Sequence, residues 1–153
     1  MKAKFRTVSK AETADWLEWK RKVGSGAENA TWLVLGQMGR AAADVAQAQF
    51  HGAGNLARSI QVRKNSRFSG EVGPTVVYGR IQELGGEIFP KGHPFLAFYW
   101  PAGPPGLRHL PDGRVLVRHV TLPARPYLKP GVEIVKPMIG QLVGAEIEKS
   151  LGL

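Results

Sequence analysis

The sequence predicts an α+β fold, with helices packed on one face of a largely antiparallel sheet. Three observations point there. Apolar residues recur at three- and four-residue spacing over residues 28–50 and again over 130–151, the mark of two long amphipathic helices. Residues 95–100 and 115–121 are short aromatic and β-branched runs, the chain's best strands. A weaker strand pair, 60–64 and 68–72, lies upstream of them, and strands grouped between helices suit an α+β arrangement. At 153 residues the chain fits one domain, with no internal repeat and no dividing linker.

The elements follow in order. A basic arm, residues 1–10, leads into a helix over residues 12–23. Glu12, Asp15 and Glu18 lie early in it and Lys20, Arg21 and Lys22 late, an order that complements the helix dipole. Trp16, Leu17 and Trp19 cluster on it, with Val23 one turn on. Gly24, Ser25 and Gly26 are expected to break it. The next helix, 28–50, carries the stripe Trp32, Leu35, Met38 or Gly39, Ala42, Val45 and Ala46. His51 to Gly54 should stop that helix, and 55–59 suit a single turn.

The first strand pair turns around Asn65 and Ser66. Residues 76–84 suit a short helix closed by Gly85 and Gly86. The two strong strands then flank residues 101–113, a loop with four Pro and three Gly. Loops of this length in compact domains usually carry function. The last helix, 130–151, starts on Pro130, which suits a first turn. Its stripe is Val132, Val135, Ile139, Leu142, Val143, Ile147 and Leu151, with Glu133, Lys136, Gln141, Glu146 and Lys149 toward water.

Charge narrows the function. Twenty-one basic residues against twelve acidic ones leave a net charge of +9, which favours polyanions or acidic protein surfaces. Residues 51–70 hold Arg58, Arg63, Lys64 and Arg67 with no acid, and 101–130 hold five basic residues against Asp112 alone. Without a helix-turn-helix or an aromatic-rich RNA-binding strand, DNA would be met as phosphate charge and not read by base. The absence of cysteine excludes disulfides and thiolate metal sites. No apolar run approaches the roughly 20 residues that span a bilayer, so no membrane partner is expected. The basic N-terminus lacks the apolar stretch of a secretory signal, and the chain is expected to be made in the cytoplasm.

Catalytic patterns are equally sparse. Residues 52–57 satisfy G-x-G-x-x-A, but follow a helix and precede a strand, the reverse of a dinucleotide site. His51, His93, His109 and His119 share no helical face and no metal-ligand spacing. Glu83 and Glu87, four residues apart, do not define a carboxylate pair. No serine sits in a nucleophile elbow, and no phosphate-binding loop occurs. We therefore expect no enzyme, no cofactor and no metal. The alternative is a hydrolase or metal enzyme in which the fold gathers His93, His119 and Glu83.

Three segments carry a resemblance. Residues 54–60 read G-x-L-x-x-S-I through Gly54, Leu56 and Ser59. Residues 78–86 read Y-x-x-x-x-E-x-G-G through Tyr78, Glu83, Gly85 and Gly86. Residues 123–128 read P-x-R-P-Y-L through Pro123, Arg125, Pro126 and Leu128. In this order and spacing, over residues 41–140, the chain resembles the tail-completion or head–tail joining proteins of tailed bacteriophages, including the virion morphogenesis proteins of Mu-like phages.

The resemblance implies a non-enzymatic subunit of the virion neck or upper tail, made in the host cytoplasm. It would work as a homo-oligomeric ring beside other neck and tail proteins. Ring closure needs heterologous contacts, for which Trp16, Trp19, Pro104, Pro105 and Arg108 are candidates. Arg58, Arg63, Lys64 and Arg67 are candidates for facing phage DNA in the channel. The competing reading is a free-standing basic nucleic-acid-binding module.

Overall fold

The computed structural model describes residues 9–50, 54–100 and 106–153. It is an α+β fold whose strand pairs are all antiparallel. The strands form three small sheets, and the chain packs as two compact units. One comprises the residues up to Thr75 together with Tyr127–Leu153, and the other comprises Val76–Pro126.

In the first unit, helix α1 runs without a break over Lys10–Gln49, about 60 Å at 1.5 Å per residue. A capping box starts it. Ser9 Oγ accepts from the Glu12 amide at 3.1 Å, and Glu12 accepts from the Ser9 amide at 2.8 Å. Hydrogen bonding from the Ser9 amide, and next from the Ser9 hydroxyl, holds the Glu12 carboxyl below its ordinary range. The break expected at Gly24, Ser25 and Gly26 does not occur. A Cβ on Gly26 would lie 2.5 Å from Ser150 Oγ and 2.9 Å from the Glu146 carbonyl oxygen and from Ile147 Cα. Gly26 is thus a contact position against the last helix, where only a missing side chain permits the approach.

The buried residues of α1 are Gly26, Ala30, Val34, Ala42 and Ala46, a stripe of small residues at multiples of four. The final helix is divided into α4 (Leu128–Val135), one turn of 3-10 helix (Lys136–Met138) and α5 (Ile139–Leu151). Pro137 explains the division: it has no N–H to donate, and its ring crowds the preceding turn. The segment runs antiparallel to α1. A Cβ on Gly131 of α4 would sit 2.5 Å from Ala42 N, while the far end of α5 reaches Gly26. Of the expected stripe, Val135 is buried and Ile139, Leu142, Val143, Ile147 and Leu151 are half-buried, whereas Val132 is exposed. Glu146 turns inward instead. Gly152, at φ 81°, ends α5 with its N–H on the Glu148 and Lys149 carbonyls.

A short helix α2 (Gly54–Ser59) leads into strands β1 (Ile60–Ser66) and β2 (Ser69–Pro74). Val62 faces Val72, Arg63 faces Glu71 and Ser66 faces Ser69. The turn therefore falls at Arg67 and Phe68, two residues later than expected. A 2.8 Å bond between the Ser66 and Ser69 hydroxyls, and one from the Asn65 amide to Glu71, close the pair below the turn. The hairpin lies on α1. A Cβ on Gly70 would meet Leu35 at 2.8 Å and the Trp32 ring at 2.9 Å. Tyr127, fully buried, meets Phe50 edge to face at 6.4 Å.

The second unit holds α3 (Gly79–Leu84) and two sheets. Strand β3 (Gly86–Ile88) pairs with β7 (Val120–Leu122), and β4 (Leu96–Tyr99) and β5 (Arg108–His109) flank β6 (Arg114–Val117). The single strand expected over 115–121 is bent at Arg118 and His119, and its halves serve different sheets. Part of the Pro/Gly-rich stretch is also a strand, since β5 pairs Arg108 with Leu116 and His109 with Val115. Among the described residues of this unit only Gly79 and Val115 are buried.

The seam between α1 and α4 makes opposite predictions for two helical glycines. Gly131→Ala forces a Cβ into the Ala42 backbone and should lower stability by about 1–3 kcal/mol. Gly36→Ala, where nothing lies within 4 Å, should raise it by about 0.4–1 kcal/mol. Urea denaturation midpoints check both. Equal shifts of one sign would remove the seam from the account.

Candidate functional site

The basic residues expected to form an open surface are drawn together by the hairpin, and each has a partner. Arg63 lies across from Glu71 in the ladder, 3.9 Å between charged groups. Lys64 and Arg67 both reach Glu28 on α1, at 3.4 and 2.7 Å, each to its own carboxylate oxygen. Lys64 Nζ also lies 4.9 Å over the Trp32 ring, and the Arg67 guanidinium 5.1 Å over Phe68. Arg58 stays local, donating to the Gly54 carbonyl at 2.8 Å and to Asn55 Oδ1 at 3.1 Å, where it closes α2 on itself.

Residues 51–70 contain no acid, yet the fold sets Glu28 and Glu71 among their cations. Arg63, Lys64 and Arg67 against these two carboxylates leave a surplus of one positive charge. Charge counting along the chain missed this, because Glu28 arrives from a helix more than thirty residues away. A faint signal exists: Glu28 stands one helical turn before Trp32, the ring that receives Lys64. The Arg67 hydrogen bond holds the Glu28 carboxyl below its ordinary value of 4.5 against the opposing cost of burial, with Lys64 adding to the effect.

The three family-like segments occupy turn and packing positions. In α2, Leu56 and Ser59 are buried, and Ser59 donates to the Leu56 carbonyl at 2.7 Å while its own carbonyl accepts from the Thr75 amide at 2.9 Å. Gly54 opens that helix. In the second unit, Gly85 caps α3 at φ 68°, and a Cβ there would lie 2.6 Å from Ala124 N. The Arg125 amide donates to the Gln82 carbonyl at 2.8 Å. The second and third segments therefore meet at Gly85, where the chain from Leu122 to Arg125 passes over the end of α3. Tyr78 precedes α3 and is exposed, while Glu83 is half-buried with a partner of its own. Gly86 opens β3 at φ 141°. Pro123 and Pro126 are exposed, and Leu128, half-buried, begins α4.

The contact candidates divide. Trp16 and Trp19 are 55% and 52% exposed on α1, and Arg108 is exposed on β5. Pro104 and Pro105 lie outside the described residues, as do most of the basic arm and His51. His93, His109 and His119 are exposed, the last 5.8 Å from the Phe89 ring. Among the described residues, no three His, Asp or Glu side chains are grouped to hold a metal, and no helix is long and apolar enough to cross a membrane. A groove of about 330 Å³ is lined by Arg21, Lys22, Ser25, Asn29, Glu146, Lys149 and Ser150. Another, of about 370 Å³, lies along Val77, Arg80, Ile81 and Leu84.

Because the Glu28 carboxyl is lowered in the folded chain, its contribution is complete above the ordinary carboxylate range and is lost as pH falls through the folded value. Acid should therefore loosen the hairpin from α1 before the helices melt. The indole signal of Trp32 in heteronuclear NMR spectra would then move at a pH where far-UV circular dichroism is unchanged. Glu28→Gln should show the loosened signal at neutral pH, and no difference between the variant and the parent would contradict the assignment. Compared with family models, with curated proteins and with solved structures, the chain matches none.

Proposed function

We propose that this chain is a structural subunit of a tailed-phage virion, a ring member of the neck or upper tail in the manner of tail-completion proteins. The observation that carries the reading is the ordered set of three segments, centred on Ser59, Gly85 and Arg125. Their residues stand at turns and tight backbone crossings, as expected of positions that specify a fold. In this reading the chain has no catalytic step and no cofactor. It is made in the host cytoplasm, resides in the virion, and acts through contacts with its own copies and with neighbouring neck and tail proteins. Exposed Trp16, Trp19 and Arg108 are material for those contacts.

The pairing of the hairpin cations bears on the DNA question. One surplus charge per hairpin suits passing contact with DNA inside an assembly, where many copies act together. A free-standing nucleic-acid-binding module is the second reading, and the net charge of +9 favours it.

Salt dependence separates the two. The neck reading expects weak duplex binding by the isolated chain, with a slope of log K against log salt of about −1 to −3. Tight binding at physiological salt with a much steeper slope favours the module. Electron microscopy of the assembled particle tests the neck reading itself. It expects density for this chain in a ring between head and tail, and absence of the chain from every particle contradicts it.

A further inference from the structure

Strand β6 lies between β4 and β5, and residues paired across antiparallel strands point to the same side of the sheet. Leu96, Phe98, His109, Val115 and Val117 therefore share one face, on which Val115 is fully buried. Ala97, Tyr99, Arg108, Arg114 and Leu116 share the other. On that second face Leu116 is half-buried and the other four are exposed, Tyr99 to 72%.

Two of the exposed side chains are held in place. The turn from Leu110 to Gly113 closes with the Gly113 amide on the Leu110 carbonyl at 3.0 Å, and the Gly113 carbonyl accepts from the Trp100 amide at 3.1 Å. A Cβ on Gly113, at φ 82°, would lie 2.8 Å from Tyr99 Cε2 and 3.5 Å from Tyr99 Cζ. The phenol ring thus lies against a bare glycine while most of its surface stays open. Directly across from Tyr99, Arg114 is fixed by Asp112, whose Oδ2 accepts from Arg114 Nε at 2.7 Å and whose Oδ1 accepts from the Arg114 amide at 3.1 Å. Both carboxylate oxygens are occupied in this way. The two terminal guanidinium nitrogens of Arg114 have no partner among the described residues, and neither does Arg108, which faces Leu116.

A flat ring held open beside an oriented guanidinium suits a nucleotide, because the ring stacks on a base and the terminal N–H groups take a phosphate. Charge favours the same ligand. Among the described residues the second unit carries six basic residues, from Arg80 to Arg125, against Glu83, Glu87 and Asp112. A duplex keeps its bases stacked on one another, whereas a single strand can offer one to Tyr99.

We propose that the open face of this sheet binds single-stranded nucleic acid, with a base stacked on Tyr99 and neighbouring phosphates on Arg114 and Arg108. One strand across and two residues along, the Arg108 backbone lies about 8 Å from that of Arg114, so both long side chains reach one short stretch of ligand backbone. Stacking tolerates any base, and the face holds a strand without reading its sequence. The site uses none of the hairpin cations and does not rest on the neck reading.

Fluorescence anisotropy of a labelled twelve-nucleotide oligothymidylate with the full chain tests it, with circular dichroism confirming that each variant is folded. The parent should bind at low salt with a dissociation constant on the order of 1–100 µM, and the duplex with oligodeoxyadenylate at least tenfold more weakly. The slope of log K against log salt should be about −1.4, as two phosphate contacts give on a single strand. Tyr99→Ala should weaken binding about tenfold, and Tyr99→Phe, which keeps the ring, should restore it. Arg114→Gln and Arg108→Gln should each flatten the slope by about 0.7, whereas Arg40→Gln, which removes the same charge from α1, should leave it unchanged. No binding up to about 1 mM overturns the proposal. So does binding that the duplex matches, that is indifferent to Tyr99→Ala, or that falls no further with Arg114→Gln than with Arg40→Gln. Thymidine monophosphate bound as tightly as the oligonucleotide would assign the face to a free nucleotide, and that too overturns it. The arginine variants keep the test decisive if Tyr99→Ala does not fold.

Discussion

The approach of α1 to the C-terminal helices is the contact on which the first unit depends. Its closeness is set by what is missing from the side chains. Gly26 touches the backbone of α5, Gly131 touches the backbone of α1, and Ala30, Ala42 and Ala46 fill the span between. Two helices this near exchange many small dispersion contacts that larger side chains would prevent. Glycine inside a helix costs about 1 kcal/mol relative to alanine, so its retention at Gly26 and Gly131 requires a gain of at least that size from packing. The rest of the unit follows from this seam. The hairpin occupies another side of α1, where Gly70 again admits close neighbours, and Tyr127 anchors the start of α4 against Phe50.

Electrostatics in the same unit works by compensation. Glu28 serves two cations of the hairpin and Glu71 a third, so three of the four cations in a segment without acids are paired in space. All but one unit of the net charge of +9 is then carried elsewhere, by residues spread over both units and by the arm outside the described residues. Such a distribution suits a protein that meets charged neighbours over broad surfaces and not through a single cleft. Several exposed apolar surfaces stand out among the described residues. The foremost is the uncovered end of α1.

Much of the architecture was legible in the sequence. The helical stripes at 28–50 and 130–151, the strand pair at 60–64 and 68–72, and the aromatic and β-branched runs at 95–100 and 115–121 all correspond to elements of the expected type. What escaped were decisions made by contacts distant in sequence. Gly24, Ser25 and Gly26 read as a break because local propensity cannot show that α5 will lie against them. Arg118 and His119 read as strand because a bend between two sheets leaves no mark in a β-branched run. Pro137 was the one overlooked local signal, since a proline inside a helical pattern divides it whatever the surroundings. At the site, the four basic residues were legible, but the pairing of Lys64 and Arg67 with a carboxylate was not, because Glu28 belongs to another element.

The central claim is that α1 is one helix held by a glycine–alanine seam and left uncovered at its start. Native-state amide hydrogen exchange in dilute solution tests it most directly. The account predicts continuous protection through residues 24–26, the slowest exchange along 26–46, and progressively faster exchange from Arg21 back to Lys10. Fast exchange at Gly24, Ser25 and Gly26 with slow exchange on either side would show two helices, and would contradict it.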